Sequence, residues 1–186
     1  RNEKFDLAVD MRNSLIPVII GARYKRPLFR VFDQRCETPH AGDRHLNILK
    51  KMGLLYKPNS KFPLHDDSTE ASLRRLMAES GIDIENPYVV LAPGAKSHLK
   101  RWPSERFGLL ASELHQLYRW PIILVGDQSE QDIAEKVKEN ASARVVNLCG
   151  KTSVTELAAL IGHAALVVTN DSAALHMADL QDRAVV

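Results

Sequence analysis

Cysteine, aromatic side chains and long apolar runs are all scarce in this 186-residue chain, and each scarcity removes a class of explanation. The two cysteines, Cys36 and Cys149, stand far apart with no second thiol or imidazole at metal-ligand spacing, which excludes a disulfide scaffold and a zinc finger. A reducing compartment fits. No apolar stretch approaches the ~20 residues that cross a bilayer, and Arg1-Asn2-Glu3-Lys4 does not open a signal peptide. The expectation is a cytoplasmic protein that at most touches a membrane surface. Charge of one sign is lacking too: 25 Lys+Arg face 23 Asp+Glu, and a formal net charge of +2 gives no argument for non-specific nucleic-acid binding.

What is present is ordinary globular material, 45% hydrophobic and 26% charged. The chain begins without Met, enters a strand-like run at Phe5 and stops inside another at Ala184-Val185-Val186, so it reads as a segment of a longer protein. Its second half alternates short β-branched runs with amphipathic helical patterns, the mark of βαβ units and a parallel sheet. Strands are expected at 88–92, 121–125, 145–148, 165–169 and 183–186, nearly continuous apolar runs of the kind covered on both faces. Helices are expected at 104–119, where Phe107, Leu110, Ala111 and Leu114 form one stripe, at 128–140, and after the capping box of Ser153 with Glu156. Ligands of such a sheet bind outside the carboxyl ends of its strands.

The first half is less regular. A strand is expected at 5–10, a short apolar element at 13–20, a helix at 44–52, a loop at 58–63, and a helix at 68–80 opened by Asp67 and Glu70 and closed by Gly81. Residues 82–87 are polar overall and end in Pro87, which places the interdomain linker there and divides the chain into 1–86 and 87–186.

Polar strand ends carry the chemistry. After the first strand of the second half comes Ala92-Pro93-Gly94-Ala95-Lys96-Ser97-His98-Leu99-Lys100-Arg101-Trp102-Pro103, a glycine turn followed by cations and a helix. Backbone N–H groups and cationic heads of that kind suit a diphosphate, although a solvated basic loop looks the same in sequence. It is neither a P-loop nor a GxGxxG turn. In Thr169-Asn170-Asp171-Ser172-Ala173-Ala174-Leu175-His176, Asp171 as a helix cap would leave amides and His176 facing an anion, against the plainer reading of a cap and a surface imidazole. Gly126-Asp127-Gln128-Ser129-Glu130 offers an acid for a ribose hydroxyl, and Cys149-Gly150-Lys151-Thr152-Ser153 is the fourth such end. Singly each is weak; four in one sheet point to a nucleotide pocket.

The ordered set Pro93-Gly94-Ala95, Lys100-Arg101-Trp102-Pro103, Glu105, Phe107, Gly126, Asn147-Leu148-Cys149-Gly150-Lys151-Thr152-Ser153, Glu156-Leu157-Ala158, Thr169-Asn170-Asp171-Ser172 and His176 resembles glycosyltransferase family 9, the lipopolysaccharide heptosyltransferases. The likeness is dense over 88–186 and looser over Phe5 to Ser14. It implies a GT-B fold, two Rossmann-like domains with parallel sheets facing a cleft, with acceptor on the first and nucleotide-sugar, usually ADP-heptose, on the second. On that resemblance Gly94, Ser97, Lys100, Gly126, Asp127, Glu130, Asp171, Ser172, Ala173 and His176 hold the sugar donor, with Lys100 and His176 also acting on the leaving diphosphate; Lys96 is a weaker carry-over. Arg12 is the residue expected to meet an acidic lipid A/core oligosaccharide acceptor at the inner membrane face. No metal and no cofactor beyond the donor substrate are implied.

Two departures stand out. Ala173 replaces a glycine frequent in the family, and the acidic residue expected as general base falls in a loop preceding Arg1. The reaction implied is an inverting transfer in which that carboxylate deprotonates an acceptor hydroxyl. A GT-B-like sugar-nucleotide epimerase and a non-catalytic nucleotide-sugar-binding module share the same sheet and cleft and remain as alternatives.

Overall fold

The computed structural model describes residues 65–186 and the two short strands Leu7–Ala8 (β1) and Tyr24–Lys25 (β2). Contacts divide the chain into two compact units, Arg1–Lys61 and Phe62–Val186. In the first, β1 and β2 pair in parallel with Leu7 opposite Tyr24 and Ala8 opposite Lys25. The elements expected at 13–20 and 44–52, the loop at 58–63, and the side chain of Arg12 lie outside the described residues.

The second unit starts earlier than the sequence reading placed it. Helix α1 (Asp67–Glu79) buries Leu73 and Met77 in the same core as Ile82, Ile84, Tyr88 and Ile161, so residues 82–87 are packed chain, anchored by two buried isoleucines. The apparent polarity of that stretch came from the exposed residues between them. Ser72 Oγ donates to Glu156 at 2.6 Å and His163 Nε2 lies 2.8 Å from Glu70, tying α1 sideways to the helix that carries both partners.

Four strands build the sheet: β3 (Val89–Ala92), β4 (Ile122–Leu124), β5 (Val145–Asn147) and β6 (Leu166–Thr169), in spatial order β5-β4-β3-β6 and all parallel. The run expected as a fifth strand forms a single parallel bridge, Val167 with Val185, along the outer side of β6. Helices α2 (Ser104–Tyr118), α3 (Gln131–Glu139), α4 (Val154–His163) and α5 (Ala173–Leu180) make the connections.

Both faces of the sheet are covered, which is why its strands read as unbroken apolar runs. Val90 and Ile123 point with Leu160 and Ile161 into the core under α1, α4 and α5. Val89, Leu91, Ile122 and Leu124 point the other way, against Phe107, Ala111 and Val137 of α2 and α3. Each such side chain contributes about 1.5–3 kcal/mol by leaving water. Tyr88 is fully buried yet satisfied, its hydroxyl donating to the Leu160 carbonyl at 2.7 Å, and burial pushes its phenol far above the usual range. Gly108 lets α2 close on α3, because a Cβ there would sit 2.7 Å from the Val137 carbonyl oxygen.

Two helix starts differ from expectation. The expected helix at 128–140 is divided into a 3-10 turn, Gln128–Glu130, and α3. Helix α1 is capped one residue before Asp67: Asp66 accepts from the Thr69 amide at 2.9 Å, the Thr69 hydroxyl at 2.7 Å and the Ser68 hydroxyl at 2.9 Å. The Thr69 hydroxyl, then its amide, hold the Asp66 carboxyl down at about 2 from an ordinary 3.8. A depressed folded-state value means the cap contributes fully above pH 3.8 and is lost as pH falls through about 2. Thermal melts between pH 5 and pH 2 are therefore expected to show a shallower acid decline for Asp66→Asn than for the wild type. An unchanged decline would assign it to other carboxylates.

Candidate functional site

The strand order creates the site. The chain runs β3, β4, β5 to one side, then crosses back to lay β6 on the other flank of β3. Loops leaving β3 and β6 therefore part at the carboxyl edge, and a crevice opens between them. A cleft of about 590 Å³ lies there, walled by the ends of β3, β4 and β6.

From β3 come Gly94, Ala95, Lys96 and Arg101; from β4, Gly126, Asp127, Ser129 and Glu130; from β6, Asp171, Ser172, Ala173 and Ala174. At two of these places a side chain would displace Glu130 from where it lies. A Cβ on Gly94 would collide with the Glu130 carboxylate, and one on Gly126 would fall 2.5 Å from Glu130 Oε2 and 3.2 Å from Cys149 Sγ. The paired glycines thus make room for an acid in the floor of the cleft.

Glu130 and Asp127 have separate tasks. Asp127 accepts from the Ser129 amide at 2.7 Å and its hydroxyl at 2.6 Å, and that hydroxyl, ahead of the amide, holds the Asp127 carboxyl below the usual range. Glu130 reaches back to the Asp127 amide at 3.0 Å, completing a capping box, while its carboxylate lies beneath the two glycines. Behind them burial, then the Glu130 charge, pushes the Cys149 thiol up to about 12, leaving it an inert packing group.

Asp171 does not cap α5. Ser172 does, its hydroxyl accepting from the Ala174 amide at 3.3 Å. Asp171 instead pairs with Lys100 across 71 residues of sequence, and the hydrogen bond from Lys100 holds its carboxyl below the ordinary range. The charge of His176 acts in the same direction more weakly. Both partners of the ion pair are more than half exposed, so the pair is screened and easily exchanged.

Of the residues expected to hold the sugar donor, Gly94, Gly126, Asp127, Glu130, Asp171, Ser172 and Ala173 line the cleft together, whereas Ser97, Lys100 and His176 do not. Ser97 precedes the 3-10 turn His98–Lys100 and accepts from the Lys100 amide at 3.0 Å. Lys100 stands at the rim through Asp171, and His176 is exposed on α5. The fourth strand end, Cys149 to Ser153, does not line the cleft: Gly150 turns there with φ +70°, and Lys151 lies in a separate groove with Lys138 and Arg144. Arg101, one of the loop cations, lines the cleft as expected, and Ser129 joins it. Arg101 is fixed by its Nε donating to the Ala95 carbonyl at 2.8 Å, a local bond that sequence spacing does not reveal.

Comparison with known proteins fits this arrangement. The chain is 28% identical over 143 residues to lipopolysaccharide heptosyltransferase 3 of Escherichia coli K12, covering 75% of this chain and 40% of that protein. It is 28% identical over 120 residues to lipooligosaccharide heptosyltransferase 2 of Haemophilus influenzae Rd, covering 62% and 34%. The matched segments thus cover well under half the length of these relatives. Among solved structures it is similar to a glycosyl transferase family 9 protein from Veillonella parvula DSM 2008, with TM-score 0.70 and 24% identity over 80% of this chain and 43% of that one. It is also similar to E. coli heptosyltransferase WaaC with ADP, with TM-score 0.55 and 21% identity over 80% and 44%. The parallel α/β fold is that of the GT-B glycosyltransferases of this family. The profile of glycosyltransferase family 9 (heptosyltransferase) matches residues 1–186, and the chain belongs to that family.

Proposed function

We propose that residues 62–186 bind the sugar donor of an inverting heptosyltransferase, with ADP-heptose as donor and a lipopolysaccharide core sugar as acceptor. The observation that carries this reading is the meeting of three strand-end loops on one cleft, with Lys96 and Arg101 on one wall and the start of α5 on the other. A diphosphate placed between them gains cationic and amide hydrogen bonds together. Asp127 and Glu130, each with one carboxylate oxygen taken up in the capping box, are the acids at the cleft that could accept from ribose hydroxyls through the other.

In the transfer, a carboxylate outside the described residues takes the proton of the acceptor hydroxyl, which attacks the anomeric carbon while the nucleoside diphosphate departs. Negative charge grows on the departing oxygens. Lys100, released from Asp171, joins Lys96 and Arg101 in stabilising it, and Asp171 is then left to accept from the sugar. His176, exposed near Asp171, could donate a hydrogen bond to the departing oxygens.

A thermal-shift panel of ADP-, UDP-, GDP- and CDP-sugars on the full-length protein tests the donor. ADP-heptose at a hundred times its Kd is expected to stabilise by about 2.7 kcal/mol, and the other bases by much less. Selective stabilisation by a UDP- or CDP-sugar overturns the adenine assignment. Product that forms without any acceptor would instead mark an epimerase.

A further inference from the structure

Asn170 lies between the end of β6 and Asp171, and its side chain reaches across the switch point to the β3 loop. Its Nδ2 donates to the Pro93 carbonyl at 2.7 Å and, at 3.5 Å, to that of Gly94; its Oδ1 accepts from the Trp102 amide at 3.0 Å. Its own main-chain N–H donates to the Ala92 carbonyl at 3.4 Å. A single planar amide therefore grips both the root and the far limb of the 93–103 loop. Every cation of that loop, Lys96, Lys100 and Arg101, lies between the two grips.

Beyond its buried root at residues 93–95, the loop's other polar attachments are internal or exposed. Arg101 Nε donates to the Ala95 carbonyl, and Lys100 N to Ser97 O, both within the loop. The Lys100–Asp171 pair is exposed. Trp102 packs edge-on against Phe107 with centroids 5.1 Å apart, anchoring only the exit of the loop. We propose that Asn170 is the positioning residue of the cationic loop, fixing the span between Lys96, Arg101 and the start of α5 so that the diphosphate cradle exists before ligand arrives. This rests on the donor-site reading given above. Asparagine suits the task because it supplies an N–H donor and a C=O acceptor at once. Aspartate would lose the bond to Pro93 and add a charge beside Asp171.

The test uses Asn170→Ala and Asn170→Asp in the full-length protein. Hydrogen exchange without nucleotide is expected to accelerate about tenfold at amides 96–102 in Asn170→Ala, as loss of two neutral hydrogen bonds implies, with β6, α2 and α5 protected as in the wild type. Asn170→Asp, which keeps an acceptor for Trp102, is expected to fall between. The Kd for ADP is expected to rise about tenfold in Asn170→Ala, while that for adenosine, followed by ligand-observed NMR, stays unchanged. Equal loosening of loop, β6 and α5, or equal weakening of ADP and adenosine, makes Asn170 a general structural residue and overturns the proposal. Unchanged loop exchange together with normal ADP binding defeats the brace alone. A wild-type protein that binds no nucleoside diphosphate defeats the donor-site reading and the proposal built on it.

Discussion

Lys100→Ala in the full-length enzyme is expected to lower kcat/KM about 30- to 900-fold, the equivalent of about 2–4 kcal/mol of transition-state stabilisation. The reason is where its charge is needed. Lys100 stands at the rim, held by Asp171, and the exposed pair it forms adds little to stability, so the folded protein should tolerate its loss. In the proposed transfer the leaving diphosphate gains charge as the bond to the anomeric carbon breaks, and an ammonium moving from Asp171 onto it would stabilise that moment more than the ground state. The fall should therefore lie mainly in kcat, with a smaller rise in the donor KM and an unchanged Tm. Lys100→Arg, which keeps the charge at a different reach, should recover part of the loss. If alanine leaves kcat/KM where it was, the role belongs to Lys96 and Arg101 instead.

Phe107→Ala is expected to destabilise by about 3–5 kcal/mol, which for a domain of this size lowers Tm by roughly 6–20 °C. Phe107 is 1% exposed, in the first turn of α2. It fills the core between α2 and the sheet face formed by Val89, Leu91, Ile122 and Leu124, and its ring receives the edge contact of Trp102. Removing it opens a cavity in that layer and frees the exit of the cationic loop in one step. Phe107→Leu should cost less than about 1.5 kcal/mol, because volume is largely conserved. Calorimetric unfolding of both variants checks the ordering, and a cost under 1 kcal/mol for alanine would mean that the site collapses to fill itself.

Much of this architecture was legible in the chain, for identifiable reasons. The strands are apolar because both faces are covered, and the capping box of Ser153 with Glu156 forms as spacing alone predicts, Glu156 accepting from the Ser153 amide at 2.8 Å. Both signals are local. The misplaced features depend on distant partners. Whether Asp171 or Ser172 caps α5 is decided by Lys100, which draws Asp171 away, and nothing within five residues of the helix start carries that information. The division at residue 61 rather than 86 depends on Leu73 and Met77 meeting Ile161 in one core. The switch-point rule places all four strand ends at the pocket, but β5 is the outermost strand on its side and its loop opens onto a different groove. Asn170 passed as one more polar residue at a strand end; its role depends on a chain segment 68 positions away.

The ion pair at the rim gives the crevice counter-ions of its own. Asp171 engages Lys100, and Asp127 lies near enough to Arg101 to feel its charge. An incoming anion thus enters by trading places with carboxylates already at home, so few mobile ions are released to bulk and its affinity should vary only gently with added salt.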